Sequence, residues 1–351
     1  MTRVAAATIA SRSRVALARA TARSFREQHP EIPFYCLLAD EGHGGIRAGR
    51  EPFEMIAFGA LEVPEPERFC FRYGEMELSY AATPFLIAHL LESGFQSVLF
   101  LKQETLVLDR LDSLLEMLER HSVLLTPHFL EPPGGGWALE QERNVLRAGV
   151  FNGGVLGFAQ CEESQRVLEW WKQKTWRLCL LDVDHGLHYE QRWLDFVPSL
   201  APQCGIVRDA GVNVGHWNLP ERRIAVSGGR VTACGAPCRI FRFSGYDPER
   251  PERITRYSAA AVAEAGEAAE VFARYQRLLE ECGWRETRAL PYAWDSFDNG
   301  ARIPYEARRR YRELGDAARR FGDPFRTAGG DTFYAWLARE HPVALRGGGH
   351  G

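Results

Sequence analysis

The chain has 351 residues and a mass of 39.7 kDa, enough for one large domain or for one domain with an extension. Hydrophobic residues make up 45% and charged residues 25%, and the formal net charge is −3. This charge excludes the global basic field expected of a protein that binds nucleic acid or anionic membranes. No apolar run approaches the roughly 18 residues needed to span a bilayer, so no integral membrane segment is predicted.

Lysine is rare in this chain. Of the 43 basic residues, only Lys102, Lys172 and Lys174 are lysine, and the other 40 are arginine. Biased codon usage explains the imbalance for the chain as a whole. Each lysine is nevertheless worth attention, because it stands against an arginine background.

The first residues allow two interpretations. Residues 1–26 contain six arginines and no acidic residue, a composition typical of a transit peptide. The same stretch fits a buried strand over 4–9 followed by a helix over 15–28, as at the start of many open α/β domains. We favour the strand and helix.

Strand and helix patterns then alternate along the first 130 residues. This alternation predicts an α/β domain with a mostly parallel sheet flanked by helices, in which ligands bind beyond the carboxyl ends of the strands. The predicted strands are 4–9, 33–39, 54–58, 97–101, 122–126 and 150–159, and the predicted helices are 15–28, 83–93, 111–120, 162–176 and 259–282.

The predicted organisation has three parts. Residues 1–250 form the main domain, residues 251–345 a helical C-terminal extension, and residues 346–351 a disordered glycine-rich tail.

The eight cysteines indicate a reducing compartment. Most stand in apolar runs, as Cys36 and Cys179 do, which is typical of small buried side chains in a cytoplasmic protein. Cys234 and Cys238 have a metal-like spacing, but no second pair lies nearby to complete a zinc site.

The segment after the fourth predicted strand carries the main functional signal. The apolar run 98–101 leads into Lys102-Gln103-Glu104, and a second apolar run follows. This order resembles the GT-A-fold, nucleotide-sugar-dependent glycosyltransferases, nearest to the bacterial family-8-like retaining enzymes. In that family the strand ends in Asp-x-Asp, whose carboxylates hold a divalent cation on the donor diphosphate.

Other segments resemble the same family in the same order along the chain. They include an Asn-Gly-Gly strand beside the donor sugar, a loop usually written Asp-Gln-Arg-Trp, and a strand usually written Phe-His-Phe-Ser-Gly. The Asn-Gly-Gly strand corresponds to residues 147–154, the loop to 189–193 and the last strand to 241–245. Residues 125–128 resemble a loop after a strand of the family, and residues 213–219 resemble its segment next to the substrate. The resemblance covers about residues 3–248.

Two departures from the family pattern introduce positive charge. Lys102-Gln103-Glu104 replaces Asp-x-Asp, and Arg242 stands where the family has a metal-binding histidine. A leaving nucleoside diphosphate needs a positive group beside it, and an ammonium or a guanidinium can supply one. We therefore hypothesise that Lys102 and Arg242 replace the cation, that Glu104 orients one of them, and that no divalent metal or other cofactor is required.

Three alternatives stay open. The chain could be a non-catalytic nucleotide-sugar-binding protein with a decayed site, or a metal-dependent transferase that uses Glu104. A second Asp-x-Asp, at Asp182 and Asp184 with His185 and His188 close by, could hold a metal. We interpret it as loop-shaping or substrate-facing instead, because it follows the Asn-Gly-Gly strand, whereas the family's metal motif precedes that strand.

The resemblance also implies roles for individual residues. Glu190 and Gln191 would lie near the anomeric carbon and act with Lys102 and Arg242 in catalysis. The resemblance favours retention, and the other possible chemistry, inversion, would need a carboxylate base opposite the leaving group. The implied donor contacts are Thr8, Ile9, Ala10, Asp40, Gln103, Glu104, Asn152, Gly153, Gly154, Ser244 and Gly245, and the implied acceptor or sugar contacts are His128, Asn213, His216, Trp217 and Asn218.

The sequence thus predicts transfer of a sugar from a nucleotide-sugar donor, by resemblance a UDP-sugar. It does not identify the acceptor, which could be a glycan, a glycoprotein or a small molecule. No nucleic-acid partner is expected, and a homo-oligomer is compatible with the sequence.

Overall fold

The computed structural model describes residues 3–40, 46, 49–136 and 138–345. The predicted tail at 346–351 lies outside the described residues. Within the described part of the chain, no helix is both long and apolar enough to cross a membrane.

A seven-stranded sheet forms the centre of the structure, and shorter strands build three small sheets beside it. The strands are β1 (Val4–Ala10), β2 (Phe34–Leu38), β3 (Glu54–Ala57), β4 (Ser97–Leu101), β5 (Thr105–Val107), β6 (Val123–Pro127), β7 (Phe151–Ala159), β8 (Leu181–Asp182), β9 (Leu187–His188), β10 (Gly205–Ile206), β11 (Ile224–Ser227), β12 (Arg230–Ala233), β13 (Ala236–Pro237) and β14 (Ile240–Arg242).

Helices cover both faces of the sheet, and several short 3-10 helices lie in the connections. The α-helices are α1 (Val15–Gln28), α2 (Pro66–Arg72), α3 (Glu75–Ala81), α4 (Thr83–Glu92), α5 (Asp112–Leu118), α6 (Ala138–Ala148), α7 (Glu162–Leu178), α8 (Val197–Leu200), α9 (Ala268–Glu281), α10 (Trp284–Thr287), α11 (Tyr305–Glu313) and α12 (Phe333–Glu340). The 3-10 helices are Arg12–Arg14, Phe58–Ala60, Val183–His185, Gln191–Phe196, Val262–Glu264, Gly315–Phe321 and Pro342–Leu345.

The strand order in the central sheet is β10-β6-β7-β4-β1-β2-β3. All neighbours are parallel except β7, which runs antiparallel to both β4 and β6. The prediction of a mostly parallel α/β sheet with flanking helices is therefore confirmed. Because β7 is reversed, its first residues lie beside the last residues of β4.

The first strand and helix belong to the core. All of β1 beyond Val4 is buried, and α1 contributes small buried side chains, such as Ala18 and Ala22, that let it lie close to the sheet. This confirms the interpretation of residues 4–28 as a strand and a helix.

A short antiparallel pair extends the structure beyond the end of β4. Strand β5 pairs with β14 so that Arg242 lies opposite Thr105. The turn at residues 102–104 joins β4 to β5, and the backbone N–H of Phe243 donates to the carbonyl of Glu104 at 2.9 Å. This pairing brings Arg242 to the turn that carries Lys102, although 140 residues separate them in sequence.

One predicted helix is wrong in extent. We expected a helix over 259–282, but α9 begins only at Ala268, after turns and a 3-10 helix at Val262–Glu264. The alanines and glutamates of 259–267 favour a helix locally. However, the backbone N–H of Ile254 donates to the carbonyl of Ala260, and Arg253 forms an isolated β-bridge with Ala261, which holds this stretch against the loop before it. Helices α2 and α3 were not predicted.

The C-terminal residues pack in two places. Helix α9 joins α1 and the aromatic residues Phe241 and Phe243 in one apolar cluster. Residues 297–345 build a second cluster around Phe71, whose ring contacts Tyr311 and Phe333. The division of the chain near residue 250 stays a prediction.

Candidate active site

Lys102 occupies the end of β4 at the bottom of a cavity. Its backbone N–H donates to the carbonyl of Gly154 at 2.9 Å, and its carbonyl accepts from the Thr105 hydroxyl at 2.5 Å. Its ammonium lies 2.5 Å from Oε1 of Glu190 and 3.8 Å from the centre of the Tyr80 ring. The backbone hydrogen bonds fix the position of the turn, and the carboxylate and the ring fix the ammonium.

Arg242 forms the second ion pair of the site. Its Nη2 lies 2.7 Å from Oε1 of Glu104, and its Nη1 lies 3.5 Å from the amide oxygen of Asn152. The guanidinium fills the space above Gly154, where an added Cβ would lie 1.1 Å from Nη1. Glycine at position 154 is therefore a steric requirement for this placement of Arg242.

The two cations control the ionisation of Glu104. Burial raises the pKa of this carboxyl, but Arg242 and then Lys102 lower it, and the net result is a pKa below its ordinary value. Glu104 is thus an anion at neutral pH. With Glu190, the site holds two carboxylates against two cations.

Glu190 is fully buried and only partly satisfied. Its Oε1 forms the ion pair with Lys102, whereas Oε2 has no hydrogen-bond partner in the protein. A Cβ on Gly153 would lie 2.8 Å from the carboxylate, so this glycine makes room for it. Buried carboxylate oxygens without partners are rare in folded proteins, so this oxygen is able to accept a hydrogen bond from a group that enters the cavity.

Gln191 and Asn152 form hydrogen bonds with the backbone around the two ion pairs. Gln191 accepts from the N–H of Gly153 at 2.8 Å and donates to the carbonyl of Ala148 at 3.0 Å. The amide oxygen of Asn152 accepts from the N–H of Gly154 at 2.9 Å. Both side chains therefore position the start of β7, and both also border the cavity.

Three histidines on the opposite wall are neutral. Burial lowers the pKa of His128, His188 and His216 to about 4, and Lys102 adds to the effect at His188. Nδ1 of His128 lies 3.2 Å from the carbonyl of Val150, and Nε2 lies 3.1 Å from the amide nitrogen of Asn152. His128 thus donates through Nδ1 and accepts through Nε2.

The central cavity, defined by Lys102, Glu190 and Arg242, has a volume of about 370 Å³. Its walls bring together residues predicted from segments far apart in the chain. Those that line it are Lys102, Glu104, His128, Asn152, Glu190, Gln191, His216, Trp217, Arg242 and Ser244.

A polar cleft of about 230 Å³ continues from the central cavity, and the two share Tyr80, Glu104, Ser244, Arg256 and Tyr257. The predicted donor contacts Gln103 and Gly245 line this cleft, and so do Arg14, Arg256 and Trp284. Gly245 has φ +74° and a Cβ there would lie 2.5 Å from the Thr255 hydroxyl, so glycine is needed for both reasons.

Four predicted donor contacts lie at the covered end of β1 and β2. Thr8, Ile9, Ala10 and Asp40 are almost fully buried. The covering segment, residues 291–294, forms hydrogen bonds with this end of the sheet. The carbonyl of Pro291 accepts from Arg12 at 2.6 Å, the N–H of Ala293 donates to Asp40 at 3.2 Å, and the indole of Trp294 donates to the carbonyl of Ala39 at 3.1 Å.

Asp40 is held by the protein on two sides. Oδ1 accepts from the N–H of Arg12 at 2.7 Å, and Oδ2 lies 3.3 Å from Nε of the same residue. Burial raises the pKa of Asp40, and the contacts with Arg12 and Ala293 work against this rise. A ligand could reach this carboxylate only after residues 291–294 moved.

Asn213 and Asn218 lie beneath the loop that carries Trp217. The amide oxygen of Asn218 accepts from Gly215, and its nitrogen donates to the carbonyls of His128 and Asn213. Asn213 has φ +59°, is buried, and has no hydrogen-bond partner for its amide. Asn218 thus fixes the loop, and Trp217 and His216 are the members that face the cavity.

The second Asp-x-Asp lies at the surface. Asp182 pairs with His185 at 2.8 Å, and His185 is 80% exposed, whereas His188 faces the central cavity. Among the described residues, no three His, Cys, Asp or Glu side chains converge as they would to hold a metal. The role of this motif as a loop element stays a prediction.

The residues at the position of the family's Asp-x-Asp do not fit a divalent cation. Such ions take several oxygen ligands, mainly carboxylates. Here Glu104 is the carboxylate of the turn, and it is already paired with Arg242. The ammonium of Lys102 and the guanidinium of Arg242 border the same cavity, and both would repel a metal ion.

Several cavity residues were missed at the level of sequence. Tyr80 lies under the Lys102 ammonium, and Tyr189, Arg256 and Tyr257 also line the central cavity. Tyr80 belongs to α3, a helix that was not predicted, so nothing placed it beside a residue 22 positions later. His188 was noted only as a neighbour of the second Asp-x-Asp.

The sequence comparisons find two uncharacterized relatives among curated proteins. No protein-family profile matches the chain. The chain is 24% identical over 245 residues to the uncharacterized protein YfnF of Bacillus subtilis, covering 68% of this chain and 80% of YfnF, and 25% identical over 127 residues to the uncharacterized protein YfnD, covering 34% and 41%.

A comparison with solved structures identifies the fold. The galactosyltransferase LgtC, crystallised with donor and acceptor sugar analogs, superposes with a TM-score of 0.50 at 13% identity, covering 82% of this chain and 98% of LgtC. At this identity the likeness shows a shared fold, and it confirms the predicted GT-A-like architecture.

The contact between Arg242 and Gly154 predicts the effect of a single methyl group. In Gly154→Ala the guanidinium must leave its position, and Glu104 loses its partner in a buried environment. We expect a loss of about 3 kcal/mol in the free energy of unfolding, measured by urea denaturation. Gly330→Ala is the matched control, because a Cβ there meets nothing within 4 Å, and equal stability of the two variants would contradict this placement of Arg242.

The neutral histidines predict a loss of stability in mild acid. Their pKa is about 4 in the folded state against about 6.5 in the unfolded state, so the unfolded chain binds more protons between these values, and the free energy of unfolding falls as pH drops through this window. In His216→Gln the fall between pH 7.0 and 5.5 should shrink by about 1 kcal/mol. His185→Gln should not reduce the fall, because Asp182 raises the pKa of the exposed His185 and its protonation therefore opposes the fall. An equal reduction in both variants would contradict the assignment.

Proposed function

We propose that this chain is a glycosyltransferase that moves a sugar from a nucleotide-sugar donor, a UDP-sugar, to an acceptor hydroxyl with retention and without a divalent metal. One observation carries the proposal. Lys102 and Arg242, each paired with a carboxylate, border one cavity at the end of β4, and a buried oxygen of Glu190 there has no protein partner.

The donor diphosphate would lie between the two cations. Lysine and arginine bind phosphate oxygens well, and positive groups fixed in a partly dry cavity stabilise the charge of a leaving diphosphate without reorganising. The nucleoside would extend into the polar cleft beside Arg14 and Arg256, because residues 291–294 cover the end of β1.

Each carboxylate has a role in this arrangement. In the absence of donor, Glu104 and Glu190 neutralise the two cations, which would otherwise be buried unpaired. When phosphate oxygens take over part of the contact with Lys102, Glu190 becomes available to the hydroxyls of the donor sugar. Gly153 and Gly154 let the sugar approach the backbone of β7 closely.

The position of Glu190 supports retention. An inverting enzyme needs its base on the face opposite the leaving group. Glu190 lies 2.5 Å from the ammonium that would bind the leaving diphosphate, and therefore on the same side as that group. In the retaining step the bond from C1 to the phosphate oxygen breaks, a bond from C1 to the acceptor oxygen forms on the same face, and the acceptor proton passes to the phosphate.

Replacing Lys102 tests its role directly. In Lys102→Met, turnover of a UDP-sugar to free UDP should fall about 10²- to 10³-fold, because one group that stabilises the leaving charge is lost. Lys172→Met is the matched control, since Lys172 forms a surface pair with Glu169, and its turnover should equal that of the wild type.

Loss of stability must be separated from loss of catalysis in this experiment. Lys102→Met leaves Glu190 buried without its partner, which destabilises the fold. The double variant Lys102→Met/Glu190→Gln removes that buried charge and should regain stability while staying inactive. A wild-type rate in either variant would refute the role of Lys102, and donor binding without turnover in the wild type would indicate a non-catalytic binding protein.

Metal independence is tested by chelation. Turnover should be unchanged in excess EDTA and should not increase with Mn²⁺ or Mg²⁺, because the cations at the diphosphate are covalent parts of the chain. A rate that disappears with EDTA and returns with metal would favour the alternative in which Glu104 holds the ion.

A further inference from the structure

A second, larger cavity adjoins the central cavity. It has a volume of about 1190 Å³, and the two share a wall that includes His188, His216, Trp217 and Tyr257 together with the apolar Val145 and Leu181. Pockets for complete small-molecule ligands have about 300 to 1,000 Å³. This second cavity is therefore larger than one sugar residue requires.

Apolar side chains from separate segments form most of its walls. They include Val183 after β8, Leu219 in the Trp217 loop, Ile224 at the start of β11, and Ile254. Val183 is 38% exposed, so it offers apolar surface that no other part of the described protein covers. We refer to this space as the apolar cavity.

Each charged side chain that lines the apolar cavity has an ion-pair or hydrogen-bond partner in the protein. Arg147 lies 3.5 Å from Glu140, and Arg222 lies 2.9 Å from Glu221. Glu264 accepts from a backbone N–H three residues earlier at 3.3 Å. The cavity therefore offers little to a charged or strongly hydroxylated ligand, which would lose hydration there without compensation.

The wall shared by the two cavities also carries polar groups that have no partner in the protein. Nε1 of Trp217 and Nδ1 of His188 are buried without hydrogen-bond partners. Both residues border both cavities. Hydroxyl groups at this junction would satisfy them, and a chain attached to those hydroxyls would continue into the apolar cavity.

We propose that the acceptor is an amphiphile, with a sugar head at the junction and an alkyl or prenyl chain in the apolar cavity. The proposal rests on the proposed function, because it identifies the apolar cavity as the acceptor side of the transfer. The head supplies the hydroxyl that bonds to C1 of the donor sugar as the diphosphate leaves.

Binding of alkyl glucosides to the full chain, without donor, tests this inference. Methyl, butyl and hexyl β-glucoside would be titrated by calorimetry below their micelle concentrations. The dissociation constant should fall about two- to fourfold for each added methylene, since each one leaves water for an apolar wall. Equal affinities for the three glucosides would overturn the proposal.

A matched pair of variants tests where the alkyl chain of the glucoside binds. Val183→Asn should remove most of the dependence on chain length, because it places an amide on the apolar wall. Val343→Asn makes the same change at a side chain that is 75% exposed and outside the cavity, and it should behave as the wild type. Both sites are exposed, so both variants should fold. Unchanged dependence in Val183→Asn would overturn the proposal.

Turnover separates this inference from the proposed function. If the chain-length dependence is found but no UDP-sugar is turned over, the proposed function fails and the apolar cavity remains a site for amphiphiles. If a UDP-sugar is turned over but methyl and hexyl glucoside bind equally, the proposed function stands and the amphiphilic acceptor is refuted.

Discussion

The balance of two largely buried cations by two largely buried carboxylates determines the rest of the site. A charge removed from water is strongly unfavourable unless a partner of opposite sign is close. Lys102 has Glu190 at 2.5 Å, and Arg242 has Glu104 at 2.7 Å. The space for these pairs exists because β7 carries glycines where its backbone passes them, and because β7 runs antiparallel to β4.

This balance changes how a donor would bind. A site that relies on a metal gains its positive charge when the ion arrives, whereas in the proposed site the charge belongs to the chain and is neutralised by carboxylates in the absence of donor. A diphosphate would therefore compete with Glu104 and Glu190 for the same cations. The gain on binding would be the difference between two sets of ionic contacts, which would keep the affinity moderate and leave the carboxylates next to the sugar.

The sequence predicted the parts of this structure that depend on local patterns. Helix 15–28 and strand 97–101 have the predicted bounds, since their apolar spacing is strong and their ends are marked by polar residues. The pairing of Lys102 with Glu190 was not predicted, because it depends on the reversed β7 and on a loop almost 90 residues away. The cover over Asp40 comes from residues 291–294 and equally depends on tertiary packing, which no local pattern encodes.

The covering segment, residues 291–294, also limits where a ligand can extend from the central cavity. With the ends of β1 and β2 occupied by Pro291 to Trp294, the central cavity continues into the polar cleft and into the apolar cavity, and Tyr257 lines all three. A nucleotide has charges that arginines can meet, and the polar cleft holds Arg14 and Arg256. An apolar chain would find its match in the apolar cavity. The two substrates would then meet near Glu190 from different cavities, so that the chemistry of the walls would keep either one from occupying the place of the other.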